Sequence, residues 1–127
     1  MFSLDMQSGK PIYEQLYQKI FELAASGVMQ PDEKLPAVRQ LAKDLGVNPN
    51  TVQKAYAQLE HDGVIYSQGG RGSFIASDSN VTALAKERAK LEFEDKAKAA
   101  ISVGVGKAEL AEILDKIERS VNADDKA

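Results

Sequence analysis

The chain has 127 residues, a formal net charge of -3, and 43% hydrophobic and 28% charged residues, a balance that fits one ordinary domain, or a small domain with a helical appendage. It holds no cysteine and a single histidine, His61, which excludes disulfides, thiolate metal sites and a cysteine nucleophile and argues against a zinc site or a Ser-His-Asp triad. No apolar run approaches the roughly 18 residues of a membrane span, and Met1-Phe2-Ser3-Leu4-Asp5 lacks the basic region and long apolar core of a signal peptide, so the expectation is a cytoplasmic protein.

The first helix is predicted to start with Pro11 at its first position. Ile12, Leu16, Ile20 and Leu23 form its apolar stripe, Tyr13 and Tyr17 stand beside it, and Gly27 ends it. Val28 to Lys34, with Pro31-Asp32, reads as a connecting loop. The second helix is predicted from Pro36 to about Asp44, with Val38, Leu41, Ala42 and Leu45 inward. Gly46 supplies the turn, because a positive φ costs glycine little, and Val47 plugs the junction. Asn48 is the N-cap candidate of the third helix and Pro49 fits its first turn. Val52, Ala55, Tyr56 and Leu59 make the inward face, and Asp62-Gly63 ends the helix.

Val64 to Gln68 and Ser73 to Ala76 are short β-rich runs around Gly69-Gly70-Arg71-Gly72, a hairpin signal. Ser77-Asp78-Ser79-Asn80 is a polar link. A long helix follows from about Val81 to Ser102, with Ala85, Ala89, Phe93, Ala97, Ala100 and Ile101 on one face. Val103-Gly104-Val105-Gly106 breaks it. The last helix carries Leu110, Ile113, Leu114, Ile117 and Val121 on one stripe, and Asn122 to Ala127 reads as a frayed tail. The predicted fold is therefore mainly α with a small β-hairpin: a winged helix-turn-helix domain over 1–77, a C-terminal helical hairpin for dimerisation over 78–122, and a flexible tail over 123–127.

Two short helices around a glycine turn, the second opening on Asn-Pro-Asn-Thr, have the local grammar of a DNA-reading helix-turn-helix. Asn50 and Gln53 lie on the outer face of the third helix, and both side-chain types can pair bidentately with an adenine edge. Asn48 and Thr51 stand at the helix N-terminus, where backbone N–H groups favour a phosphate; for Asn48, capping alone is an equal alternative. Lys54 is within reach of a phosphate, and Arg39 of a phosphate or a guanine. Gly70, Arg71 and Gly72 make a wing tip whose glycines admit close backbone approach and whose arginine can enter a minor groove, the alternative being a plain turn with a solvated arginine.

Charge is mixed evidence for DNA binding. The pI is about 5.2, whereas DNA-binding domains are often basic. Between Leu35 and Gln58, however, the charges are Arg39, Lys43 and Lys54 against Asp44 alone, with Lys34 just before. Acidic residues gather elsewhere, notably Glu92, Glu94, Asp95, Glu109, Glu112, Asp115 and Glu118. The apolar faces of the last two helices point to a second copy of the chain, through Ala89, Phe93, Ala97, Ile101, Leu110, Ile113, Leu114 and Ile117; the alternative is that they fold back on the first domain. His61 reads as a surface residue at a helix C-terminus, and Tyr13, Tyr17 and Tyr56 as core or interface. No carboxylate pair or nucleophile–base set stands out, so no enzyme, metal or cofactor is expected.

Pro31 to Ala42, Asn50 to Tyr56, Leu59 to Ile65 and Gly70 to Ile75 together resemble the GntR family of bacterial transcription regulators, and Pro11-Ile12-Tyr13-Glu14-Gln15-Leu16 fits as well. The short C-terminal helical pair resembles the YtrA-like subfamily, which lacks a large effector domain. The resemblance implies a homodimeric repressor on a palindromic DNA operator, with contacts from Arg39, Asn48, Pro49, Asn50, Thr51, Gln53, Lys54, Gly70 and Arg71. Asp32 stands where many members carry glycine, and Asn-Pro-Asn where many carry serine or threonine with arginine. A small-molecule effector is compatible with this reading, its identity open. The alternative of another class is a winged-helix protein-interaction adaptor without sequence-specific DNA binding, favoured by the acidic pI.

Overall fold

The computed structural model describes residues 3–77 and 80–126. In chain order the elements are α1 (Ile12–Ala25), α2 (Val38–Leu45), α3 (Pro49–His61), β1 (Ile65–Gln68), β2 (Gly72–Ile75), α4 (Asn80–Ser102) and α5 (Lys107–Lys126). They fall into two units, Met1–Ala85 and Lys86–Ala127.

In the first unit the apolar stripes of the three short helices and the inner residues of the hairpin close on one core. Leu16, Ile20, Val52, Leu59 and Val64 have no exposed surface. Each such aliphatic side chain contributes about 1.5–3 kcal/mol by leaving water, so the core rests on the periodicity visible in the sequence. Phe21 and Met29 also join it, although neither belongs to the predicted stripe. Phe21 lies one position beyond Ile20, where the stripe widens, and Met29 is carried inward by a loop whose amide donates to Leu23 O at 3.0 Å.

Both prolines sit earlier than expected, Pro11 by one position and Pro36 by two. Pro11 is the N-cap of α1, not its first residue, and α2 begins at Val38 with Ala37 as its N-cap. The extended ψ of 144° at Pro11 and at Ala37 shows that the chain turns into the helix only after these residues. The end of α2 matches its sequence: Gly46 has φ +70, and Val47 N–H donates to Ala42 O at 3.0 Å, closing the helix on a left-handed glycine.

β1 and β2 pair antiparallel with Ile65 opposite Ile75 and Gln68 opposite Gly72. The loop before α2 lies along the other edge of β2. Asp32 N–H donates to Ile75 O at 2.7 Å, Ile75 N–H to Glu33 O at 2.9 Å, and Leu35 N–H to Ser73 O at 2.8 Å. β2 is thus held on both sides, and its outer edge, which would invite pairing with other chains, is covered.

The polar link expected at Ser77 to Asn80 includes Asp78 and Ser79, which lie outside the described residues. The first unit extends beyond 77 because Val81 is buried and Leu84 and Ala85 pack against its core. Ala85 therefore belongs to this core and not to the face it was expected to share with Phe93. In the second unit α4 and α5 are joined at Gly104, φ +100, with Val105 N–H donating to Ala100 O at 3.1 Å. α5 continues through Lys126, where fraying from Asn122 was expected; Val121 prolongs its stripe. Among the described residues no helix is long and apolar enough to cross a membrane.

Candidate nucleic-acid interface

α3 presents two opposed faces. Val52, Ala55, Tyr56 and Leu59 are buried, whereas Asn50, Gln53, Lys54 and Ala57 are exposed, the i, i+3, i+4, i+7 complement of the core stripe. The burial that orders the helix therefore also aims its polar side outward. At its start Asn48 Oδ1 accepts from Asn50 N–H at 2.8 Å, with Pro49 in the first turn. The structure makes this cap directly, so the Asn48 oxygen has a local partner. Asn48, Pro49 and Asn50 are exposed, and Thr51 is partly covered.

The helix is tied to the segment that leads into α2 by Tyr56, whose hydroxyl donates to Pro36 O at 2.7 Å. Burial pushes this phenol up to about 12, so it stays protonated and able to donate at neutral pH. Val47 packs at the core between the two helices, as expected of a plug. At the far end of α3, the Tyr17 hydroxyl donates to the Asp62 carboxylate, tying α1 to the C-cap. His61 is exposed in the last turn.

Arg39 is exposed on α2, and Arg71 is exposed in the wing loop between Gly70, φ +78, and Gly72, φ +116. None of Arg39, Lys43, Lys54 and Arg71 makes an ion pair with a described carboxylate, whereas α4 carries the pairs Glu87 with Lys90 and Glu94 with Lys98. Asp44, the acidic residue of this region, accepts instead from Gln40 Nε2 at 2.8 Å. The surface carrying the candidate contacts thus keeps its positive charges uncompensated on a chain that is acidic overall.

Lys54 is not simply free on the outer face. Its Nζ stands 3.8 Å from the centroid of the Tyr13 ring, a cation–π contact that draws the ammonium toward the start of α1. Tyr13, read from sequence as core or interface, is therefore a neighbour of the candidate site. No pattern inside either helix signals this, because the two residues meet only when α1 packs on α3.

The candidate dimerisation residues remain largely uncovered. Phe93 and Ile101 on α4 are 52% and 56% exposed, and Ile113, Leu114 and Ile117 on α5 are 51%, 46% and 52% exposed. Ala89 is exposed, while Ala97 and Leu110 are partly covered. Leu91 and Val121 add to the exposed set.

Three packed helices, a glycine turn and a hairpin with a glycine–arginine tip define a winged helix-turn-helix protein. Residues 12–75 match the family model described as bacterial regulatory proteins, gntR family. The chain belongs to the GntR family. It is similar to the HTH-type transcriptional repressor YtrA of Bacillus subtilis (strain 168), 46% identical over 82 residues, a match covering 65% of this chain and 63% of that repressor, a little under two thirds of it. A GntR family transcriptional regulator from Listeria monocytogenes superposes with a TM-score of 0.78 at 32% identity, covering 87% of this chain and 98% of that one. The DNA-binding domain of AraR, solved in complex with operator ORE1, superposes with a TM-score of 0.51 at 32% identity, covering 60% of this chain and 93% of that one. These relatives are transcriptional regulators, not enzymes.

Proposed function

We propose that this GntR-family regulator is a homodimeric repressor that reads a palindromic operator in double-stranded DNA. Each α3 lies in the major groove of one half-site, with Asn50 and Gln53 on base edges and Lys54, Arg39 and the helix N-terminus on phosphates. Each wing lies on the adjacent minor groove with Arg71 inserted. α4 and α5 of two chains cover one another's apolar faces and set the spacing of the two heads.

The observation that carries this reading is the exposed polar face of α3, capped by Asn48 and set opposite a fully buried stripe. It is supported by the AraR domain, a relative of the same fold solved on its operator. Selection of bound duplexes from a random DNA pool is the test. Enrichment of an inverted repeat, with half-sites about 10 base pairs or a multiple apart, is the expected result. Failure to enrich any sequence, or no preference for the chain's own promoter region over random DNA at ~100 mM salt, where phosphate-driven binding has already weakened, overturns it.

A further inference from the structure

Lys34 belongs neither to α3 nor to the hairpin. The fold nevertheless brings it to the wing: it forms an antiparallel bridge with Phe74, and Leu35 N–H holds Ser73 O at 2.8 Å. From there its side chain runs along β2 toward the tip. A Cβ placed on Gly72 would stand 3.1 Å from Lys34 Cε and 3.9 Å from Nζ. The absence of a side chain at Gly72 is therefore used twice, once for its φ of +116 and once for the lysine stem lying across it.

The ammonium forms no ion pair with a described carboxylate. Asp32 accepts from the Tyr66 hydroxyl at 2.7 Å, and Glu33 Oε1 accepts from Gln30 N–H at 3.1 Å. Lys34 itself is exposed. A compact, unpaired ammonium is thus held beside Gly72, one residue from Arg71, by backbone pairing and by the space the glycine leaves.

We propose that Lys34 is a second DNA contact of the wing, a phosphate-binding cation seated by Gly72, so that the wing holds the sugar–phosphate backbone beside the groove that Arg71 enters. The inference rests on the DNA-binding reading above and adds a contact to it. A lysine on a phosphate neutralises charge without reporting base identity, so its removal acts alike on every sequence.

The test is the salt dependence of binding by the full chain, measured on a selected operator duplex and on a random duplex. Lys34→Gln should flatten the slope of log affinity against log salt by about 0.9 per bound subunit, weaken both duplexes by the same factor, and leave the thermal melt unchanged. Lys34→Arg should restore the slope. An unchanged slope for Lys34→Gln, with the wild type still binding, overturns this inference and leaves the functional reading standing. A wild type that binds neither duplex overturns both. Gly72→Ala strains the backbone in both backgrounds, so it should weaken binding in each, but more in the wild-type background than in Lys34→Gln; an equal loss in the two overturns the seating by Gly72.

Discussion

The Tyr66 hydroxyl donates to the Asp32 carboxylate across 2.7 Å, and Asp32 holds a left-handed backbone with φ +66. That conformation costs most L residues roughly 1–2 kcal/mol, a cost that glycine would not bear. Aspartate occupies the position because its side chain gains a partner on β1, and the bond joins the loop before α2 to the wing. The hydrogen bond to Asp32, then burial, then the charge of Asp32 raise the Tyr66 phenol above its ordinary value of 10.0.

A folded-state pKa above the unfolded one means that the link is whole below pH 10.0 and lost as pH rises through the raised value. In a tyrosine absorbance titration, with Tyr66→Phe as the reference, Asp32→Ala should bring the Tyr66 midpoint back down toward 10.0. The same midpoint with and without Asp32 would show that the pair does not form.

Asn48→Ala should cost about 1 kcal/mol of stability, while Asn48→Asp or Asn48→Ser should retain most of it, since each keeps an acceptor for the first turn. Urea denaturation midpoints at constant slope measure this. An alanine variant as stable as the wild type would mean that the cap bond to Asn50 contributes nothing.

The tip of α3 and the wing should differ in kind. Asn50→Ala or Gln53→Ala should relax base preference by ~1–3 kcal/mol per lost bidentate contact. Arg71→Ala should weaken binding through the wing. Affinities on the selected operator and on its single-base variants separate the two effects, and equal losses on every sequence for all three would exclude base reading by α3.

Tyr13 and Lys54 should be energetically coupled. A double-mutant cycle of Tyr13→Leu and Lys54→Met should yield about 0.5–1 kcal/mol of interaction in the free protein, and Tyr13→Phe should preserve it because the ring face is kept. Strict additivity would mean that the cation–π contact is not populated.

Ile113→Asp with Ile117→Asp should convert a dimer into a monomer, read by size-exclusion chromatography with light scattering. Unfolding of the first unit within the full chain, followed by the absorbance of its buried tyrosine, should be untouched, because neither residue belongs to its core. A wild-type chain that is already monomeric at micromolar concentration would remove the dimer from the mechanism.

Much of the first unit was legible in the residues themselves. Gly46 between two amphipathic segments, Asn48-Pro49 ahead of the Val52, Ala55, Tyr56, Leu59 stripe, and β-rich runs around Gly69 to Gly72 each act within a few positions along the chain, where helix period, capping and turn chemistry operate. Element ends were less legible. The inclusion of Val81, Leu84 and Ala85 in the first core was not, because a linker and a helix start look alike until the surface they meet exists.

The sequence by itself determined which faces are apolar, where the turn and the cap lie, and which polar side chains stand at the tip of α3, since these follow from local backbone preferences and periodicity. Only the tertiary structure decided that Lys54 sits over Tyr13, that Asp32 tolerates a left-handed backbone by holding Tyr66, and that Lys34 crosses Gly72 to reach the wing. Each of these pairs joins segments far apart in the chain. Their contacts depend on how the helices and the hairpin pack, and no local pattern of residue types encodes that packing.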